Sequence, residues 1–415
     1  MKIIKNFFII SFYIIFILYF LEIITKLFIK DKIDLTIKNM DQIRSEKIKK
    51  IPNFDKRKSF NAFQQEKTKN DIYPSFKLSI NMIDKNNYLK NFFQTKLSQN
   101  KKIPFRGPIN KLSLGNNEDG YREIIINDKY GFKNRNQVYE KEIDIMIIGD
   151  SFAEGVPFGN KHDVSEVINL SSNFNSTNYG VGGTGPLHSL GILREYGKYL
   201  KPKNVFYFFY EGNDLRDLSL EKNTFLISYL NNEFTQNLFN SSNDVEIFLD
   251  DFENMFFNIL DEMVEKESSV NEISSHSNEN NFFEVFKNII ELQNLKSILI
   301  PKDAFIYKNE KLDYKTFEET IIKMKENVEM WNGNFYLVYL PSWTRYNSDF
   351  LISGKFLKRK VLGIVKSNDI NLIDMDAIFK ENNLDNINSF NLGIYGHYTK
   401  KVYNFIAKKL IKKLD

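Results

Sequence analysis

The chain predicts an α/β protein: an open parallel sheet with helices on both faces, three layers in all. Three observations carry that expectation. Four short segments read as buried strands, IDIMIIG from Ile143, the stretch around Asn178, NVFYFFY (204–210) and NFYLVYL (334–340), and the first, third and fourth are apolar almost without interruption. Strands covered on both faces read this way, whereas a half-exposed strand alternates. Helical periodicity fills the intervals, in PLHSLGILREYGKYLK after the second run and in YTKKVYNFIAKKLIKKL at the C-terminus. Strand and helix in alternation give right-handed crossovers on one sheet. Finally, the runs at 143, 178 and 204 stop at glycine-bearing turns, which is where chain direction changes.

Taken in order, the N-terminal run NFFIISFYIIFILYFLEIIT lies between Lys5 and Lys26 with Glu22 as its one charge. As a helix it spans about 30 Å, one hydrocarbon core. No Ala-x-Ala-like site follows, which favours a retained transmembrane signal anchor over residues 1–30 rather than a cleaved peptide. Lys2 and Lys5 favour a cytoplasmic N-terminus, while Lys26, Lys30 and Lys32 blur that bias. Residues 31–104 are lysine-rich and weakly periodic, as in a solvated stalk or a loose helical cap. Residues 105–142 carry glycines at turn spacing around a strand candidate, REIII, and read as an ordered collar. The sheet domain is expected over 143–415. A helical insertion interrupts it at about 215–330, with a polar tract, EKESSVNEISSHSNENN, expected to be a mobile loop. A fifth strand candidate, INLIDMD (370–376), precedes the last helix.

Composition narrows the function. Hydrophobic residues make up 42% and charged residues 27%, enough for a sizeable core. A net charge of +4 without a basic stripe argues against a nucleic-acid partner. The absence of cysteine excludes disulfides, thiolate metal sites and thiol nucleophiles. His162, His188, His276 and His397 are too scattered for a histidine metal cluster, and neither a metal nor a cofactor is expected.

Ligands of open α/β sheets gather at the carboxyl ends of the strands. Those ends read Gly149-Asp150-Ser151, then NYGVGGTG (178–185), then Glu211-Gly212-Asn213-Asp214, with Gly396-His397 before the last helix. Each block alone has a plain structural explanation: glycines form turns, Asn-Asp pairs cap helices, and a lone histidine is more often structural than catalytic. In this order they resemble the SGNH/GDSL hydrolases, over about residues 105–415. The blocks NEDG (117–120), DKYGF (128–132), YEGNDLRDL, YLVYLPSWTRY and GHYTKKVYNFIA resemble a membrane-anchored bacterial subgroup of that family.

The resemblance implies a flavodoxin-like sheet and an esterase site. Ser151 would be the nucleophile, which needs a base within hydrogen-bond reach. His397 would be that base and later the acid. The oxyanion hole would use the Ser151 and Gly183 N–H groups and the Asn213 side chain, donors aimed in advance at developing charge. Asp150 and Asp214 would be structural. The implied substrate is an ester, an O-acetylated surface carbohydrate, met on the periplasmic side of a bacterial inner membrane. The family's usual aspartate three residues before the histidine is here Ile394. A backbone carbonyl could orient His397, or Asp385 or Asp376 could replace the missing acid, or the site could be weakened. Three rivals stand beside esterase chemistry. The same site could pass an acyl group to a sugar, as an O-acetyltransferase with a membrane acetyl-donor partner. It could also be a non-catalytic binding module. Gly180, Gly182 and Gly185 fit a dinucleotide fingerprint, but Pro186 and the lack of a following acid oppose it.

Overall fold

The computed structural model describes residues 10, 13, 15–21, 23–24, 42–79, 87–99, 102–269, 312–346 and 354–415. The chain divides into two units, residues 1–50 with 264–309 and residues 51–263 with 310–415. In the first, residues 10, 13, 15–21, 23–24 and 42–49 are helical. Among the described residues no helix is long and apolar enough to cross a membrane. Residues 1–9, 11–12, 14, 22 and 25–30 of the expected anchor lie outside them. The tract expected as a loop begins inside a helix, Ser242–Ser269, and its remainder also lies outside the described residues.

The second unit opens with helix Ser59–Asn70, which turns Ala62 and Phe63 inward and ends at Asp71 in the left-handed region. Short strands follow: β1 (Ile72–Tyr73), β2 (Phe76–Lys77), β3 (Arg106–Gly107), β4 (Leu112–Leu114) and β5 (Ile124–Ile126). β4 pairs with β1 in parallel and with β5 antiparallel, and β2 pairs with β3 antiparallel. Residues 51–79 are therefore structured. Phe76 is fully buried, packed edge-on against Phe248 and Phe252 of helix Ser242–Ser269 at 5.2 and 4.9 Å.

The main sheet holds β6 (Ile145–Gly149), β7 (Ser176–Asn178), β8 (Asn204–Tyr210), β9 (Asn334–Leu340) and β10 (Asn371–Asp374). It is parallel throughout, in the order β10-β9-β8-β6-β7. This is the flavodoxin-like order, and it reverses beside β6. Every residue of β6 and β8 is buried, as their uninterrupted apolar sequence requires. β7 reads Ser-Thr-Asn yet is also buried. It is an edge strand, and the Asn134 amide covers its open side: it accepts from Asn178 N–H at 2.7 Å and donates to Asn178 O at 2.9 Å. β10 is shorter than the 370–376 run suggested. The Asp374 carboxylate accepts the N–H groups of Asp376 and Ala377 and starts helix Met375–Glu381, so capping ends the strand.

Candidate active site

β6 ends at Gly149, whose φ of 143° only glycine adopts easily and whose added Cβ would meet Phe208 O at 2.7 Å. Asp150 then caps a one-turn helix, Ser151–Glu154, by accepting Phe152 N–H at 2.8 Å. The turn makes Ser151 the first helical residue, at the carboxyl edge of the sheet. Burial pushes the Asp150 carboxyl up to about 6, against the pull of Phe152 N–H, His397 and Asn213. Its work is local: it holds the turn.

His397 precedes the C-terminal helix Lys400–Leu414. Its ring lies against Phe152, centroids 4.7 Å apart, and Phe152 stacks in turn on Tyr210 at 3.6 Å. Nε2 stands 2.7 Å from Ser151 Oγ. Nδ1 stands 2.7 Å from Glu118 Oε1, and the main-chain N–H of His397 donates to Glu118 Oε2 at 3.1 Å. With the ring proton on Nδ1 facing the carboxylate, Nε2 is left to accept from the hydroxyl. The three side chains form a continuous serine–histidine–carboxylate relay.

Glu118 is the residue the sequence reading missed. Neither Asp376 nor Asp385 meets His397, and the ring is oriented by a side chain rather than by a backbone carbonyl. Asp376 is spoken for by Lys358 (2.6 Å), Lys380 (3.0 Å) and Tyr346 (3.1 Å). Asp385 is exposed. Glu118 sits in the turn Asn117–Gly120, which Asn117 builds by accepting Gly120 N–H at 2.8 Å and donating to Asp55 O at 2.6 Å. Gly120 has φ 111°. Lys400 ties this region to the last helix through Glu123 at 3.2 Å. The signal was present, since the NEDG block marks a carboxylate in a tight turn. Nothing local to it points to a histidine so far along the chain.

The proposed oxyanion donors are disposed unequally. Gly183, with φ 78°, lines a cavity of about 430 Å³ together with Ser151 and His397. Its neighbour Gly182 donates its N–H to Glu154 Oε2 at 2.7 Å, which fixes the glycine turn to the serine's own helix. Asn213 is half-buried after β8 and does not line that cavity. Its Nδ2 donates to Asp217 at 2.7 Å, and its amide also bears on Asp150 beside the nucleophile. An amide carries two N–H groups, and Asp217 and Asp150 draw on both, so Asn213 serves an oxyanion by releasing one of them. Asp214 is buried, accepts Tyr207 Oη–H at 2.8 Å, and is pushed well above the usual carboxylate range by burial. It anchors the turn to β8.

Glu154, in the same short helix as Ser151, is the electrostatic hub beneath the cavity. Burial alone would raise its pKa; Lys77 and Arg106 override that and hold it down at about 2.

No family model and no curated protein matches the chain. Among solved structures, the chain is similar to a protein assigned to the lipolytic G-D-S-L family from Desulfitobacterium hafniense DCB-2, with 13% identity over 64% of this chain and 95% of that one and a TM-score of 0.35. It is similar also to a lipolytic G-D-S-L family member from Veillonella parvula DSM 2008, with 12% identity, 65% and 97% coverage and a TM-score of 0.32. A third is TesA, with 7% identity, 65% and 97% coverage and a TM-score of 0.31. The first two carry the name of the family whose signature blocks this sequence resembles. Likeness of this degree carries no argument about activity, which rests on the chain's own residues.

Proposed function

We propose that the chain is a serine ester hydrolase of the SGNH type that works through an acyl-enzyme. The observation that supports this most is the relay Ser151–His397–Glu118, with both links at 2.7 Å. In the first step Ser151 Oγ bonds to the ester carbonyl carbon while its proton passes to His397 Nε2. The Glu118 carboxylate steadies the imidazolium so formed and keeps the other ring proton on Nδ1. Negative charge on the carbonyl oxygen would be met by the Ser151 and Gly183 N–H groups and by Asn213. His397 then gives its proton to the departing alkoxide, and the carbonyl re-forms as the acyl-serine. Water repeats the sequence, releasing the acid and free Ser151. The substrate reading is an O-acyl ester, an acetyl group on surface carbohydrate. The apolar N-terminal run supports a membrane tether, and an extracytoplasmic site is what the resemblance to the membrane-anchored subgroup favours.

The test uses the full-length chain in detergent. A fluorophosphonate should label Ser151, and p-nitrophenyl acetate should be turned over. Ser151→Ala and His397→Ala should each reduce turnover by roughly 10⁴-fold or more, and Asn213→Ala should remove about 3 kcal/mol of transition-state stabilisation. Undiminished turnover by Ser151→Ala rejects the assignment.

A further inference from the structure

The floor of the cavity holds more positive charge than the relay uses. β2 and β3 set Lys77 directly opposite Arg106, and like charges so placed ordinarily destabilise a sheet. Glu154 lies between them: both its oxygens accept from Lys77 Nζ, at 2.6 and 2.7 Å, and Oε1 is 3.0 Å from Arg106 Nη2. One carboxylate thus faces two cations. A third cation, Lys133, is balanced separately by Asp163 at 3.5 Å and by the carbonyls of Glu154 and Phe158.

The excess charge reaches solvent through one side chain. Arg106 is fully buried, whereas the Lys77 side chain is 21% exposed and lines the cavity with Ser75, Ser79 and Asn116. Ser75 Oγ is buried there without a hydrogen-bond partner. Among the described residues that line the cavity, Glu154 is the sole acid. A point just off Gly182 lies 3.0 Å from Glu154 Oε2, 3.4 Å from Ser151 Cβ and 3.7 Å from Lys77 Nζ, so the ammonium, with its Glu154 partner beside it, and the nucleophile's carbon are one small chemical group apart. Burial holds Lys77 below its ordinary pKa despite Glu154, a condition that an added anion relieves.

We propose that this cavity selects esters carrying a second, anionic group, a carboxylate, which sits against Lys77 while the ester carbonyl sits over Ser151. This rests on the serine-hydrolase reading and adds its substrate class. A lysine present merely to neutralise Glu154 would duplicate Arg106. A lysine present to receive a carboxylate explains why two cations share one acid and why the more exposed one faces the cavity.

Two matched pairs test it in the full-length chain: mono-4-nitrophenyl succinate against 4-nitrophenyl butyrate, and 4-acetoxybenzoate against its methyl ester. The anionic member of at least one pair should be preferred by about tenfold in kcat/KM, carried by KM and weakened by salt. Lys77→Met should bring that ratio near one, and Lys77→Arg should keep it. Ratios near one in the wild-type chain, or a preference unchanged in Lys77→Met, overturn the proposal. Calorimetry on Ser151→Ala reads the same site without catalysis. Succinate should bind, and about tenfold more weakly once Lys77→Met is added. No succinate binding by Ser151→Ala overturns the anion site even where hydrolysis is intact. Succinate binding in a chain that no fluorophosphonate labels supports the anion site and rejects the hydrolase reading alone.

Discussion

The strand ends of the main sheet and the layer formed by residues 51–79 and 102–132 make different contributions to the site. From the sheet side come Ser151, Gly183 and Asn213, each at the end of a strand and each set by a local device: a cap at Asp150, a left-handed glycine, a bond to Asp217 four residues on. From the layer come Glu118, Lys77 and Arg106, and each meets its partner far along the chain. Glu118 reaches His397 across 279 positions and Lys77 reaches Glu154 across 77. The sheet places the reacting atoms, and the layer supplies the charges that govern them.

The largest effect that could break this division is at Glu118. Glu118→Gln should lower kcat by roughly 10³- to 10⁴-fold with KM little changed, because the amide no longer fixes the imidazole tautomer or steadies its charge. Steady-state hydrolysis of a p-nitrophenyl ester measures it. A loss of only a few-fold would remove the layer from the proton relay and leave a serine–histidine dyad.

A smaller effect sharpens the same contrast on the side of stability. Glu154→Gln leaves Lys77 and Arg106 facing each other across β2 and β3 and should cost about 3–5 kcal/mol in urea unfolding. The pH dependence has a definite sign. The folded pKa of Glu154 is held at about 2, below the unfolded value of about 4.3, so its contribution is present above that unfolded value and is lost as pH falls toward 2. The variant should lack that acid-side decline.

The smallest effect belongs to the sheet side and runs the opposite way. Burial raises Asp150 to about 6 when folded, against about 3.9 unfolded. Between those values the folded state binds more protons, so this group makes the protein less stable as pH rises from about 4 to 6, by on the order of 2 kcal/mol. Asp150→Asn keeps an oxygen for Phe152 N–H and should flatten the melting temperature across that window.

The same contrast explains what was legible in the sequence. β8 and β9 coincide with NVFYFFY and NFYLVYL because burial, complete along β8 and nearly so from Phe335 onward in β9, leaves a continuous apolar pattern. Ser151 and His397 were legible as short blocks at strand and helix ends. β7 shows no apolar run at all, since Ser165, Ile145 O and Ala153 O meet the side chains of Ser176, Thr177 and Asn178 from outside the strand. Glu118 was visible as a turn residue and invisible as a partner. No spacing rule links a turn in one layer to a ring in another, and Asp376, nearer in sequence, is already bound to Lys358 and Lys380.

Glu118 grips His397 twice, once at the ring and once at the main-chain amide. Proton transfer and loop position therefore share one fastening. Hydrogen exchange at the amide of residue 397 becomes a gauge of whether the catalytic chain is assembled, readable in the resting protein with no substrate present.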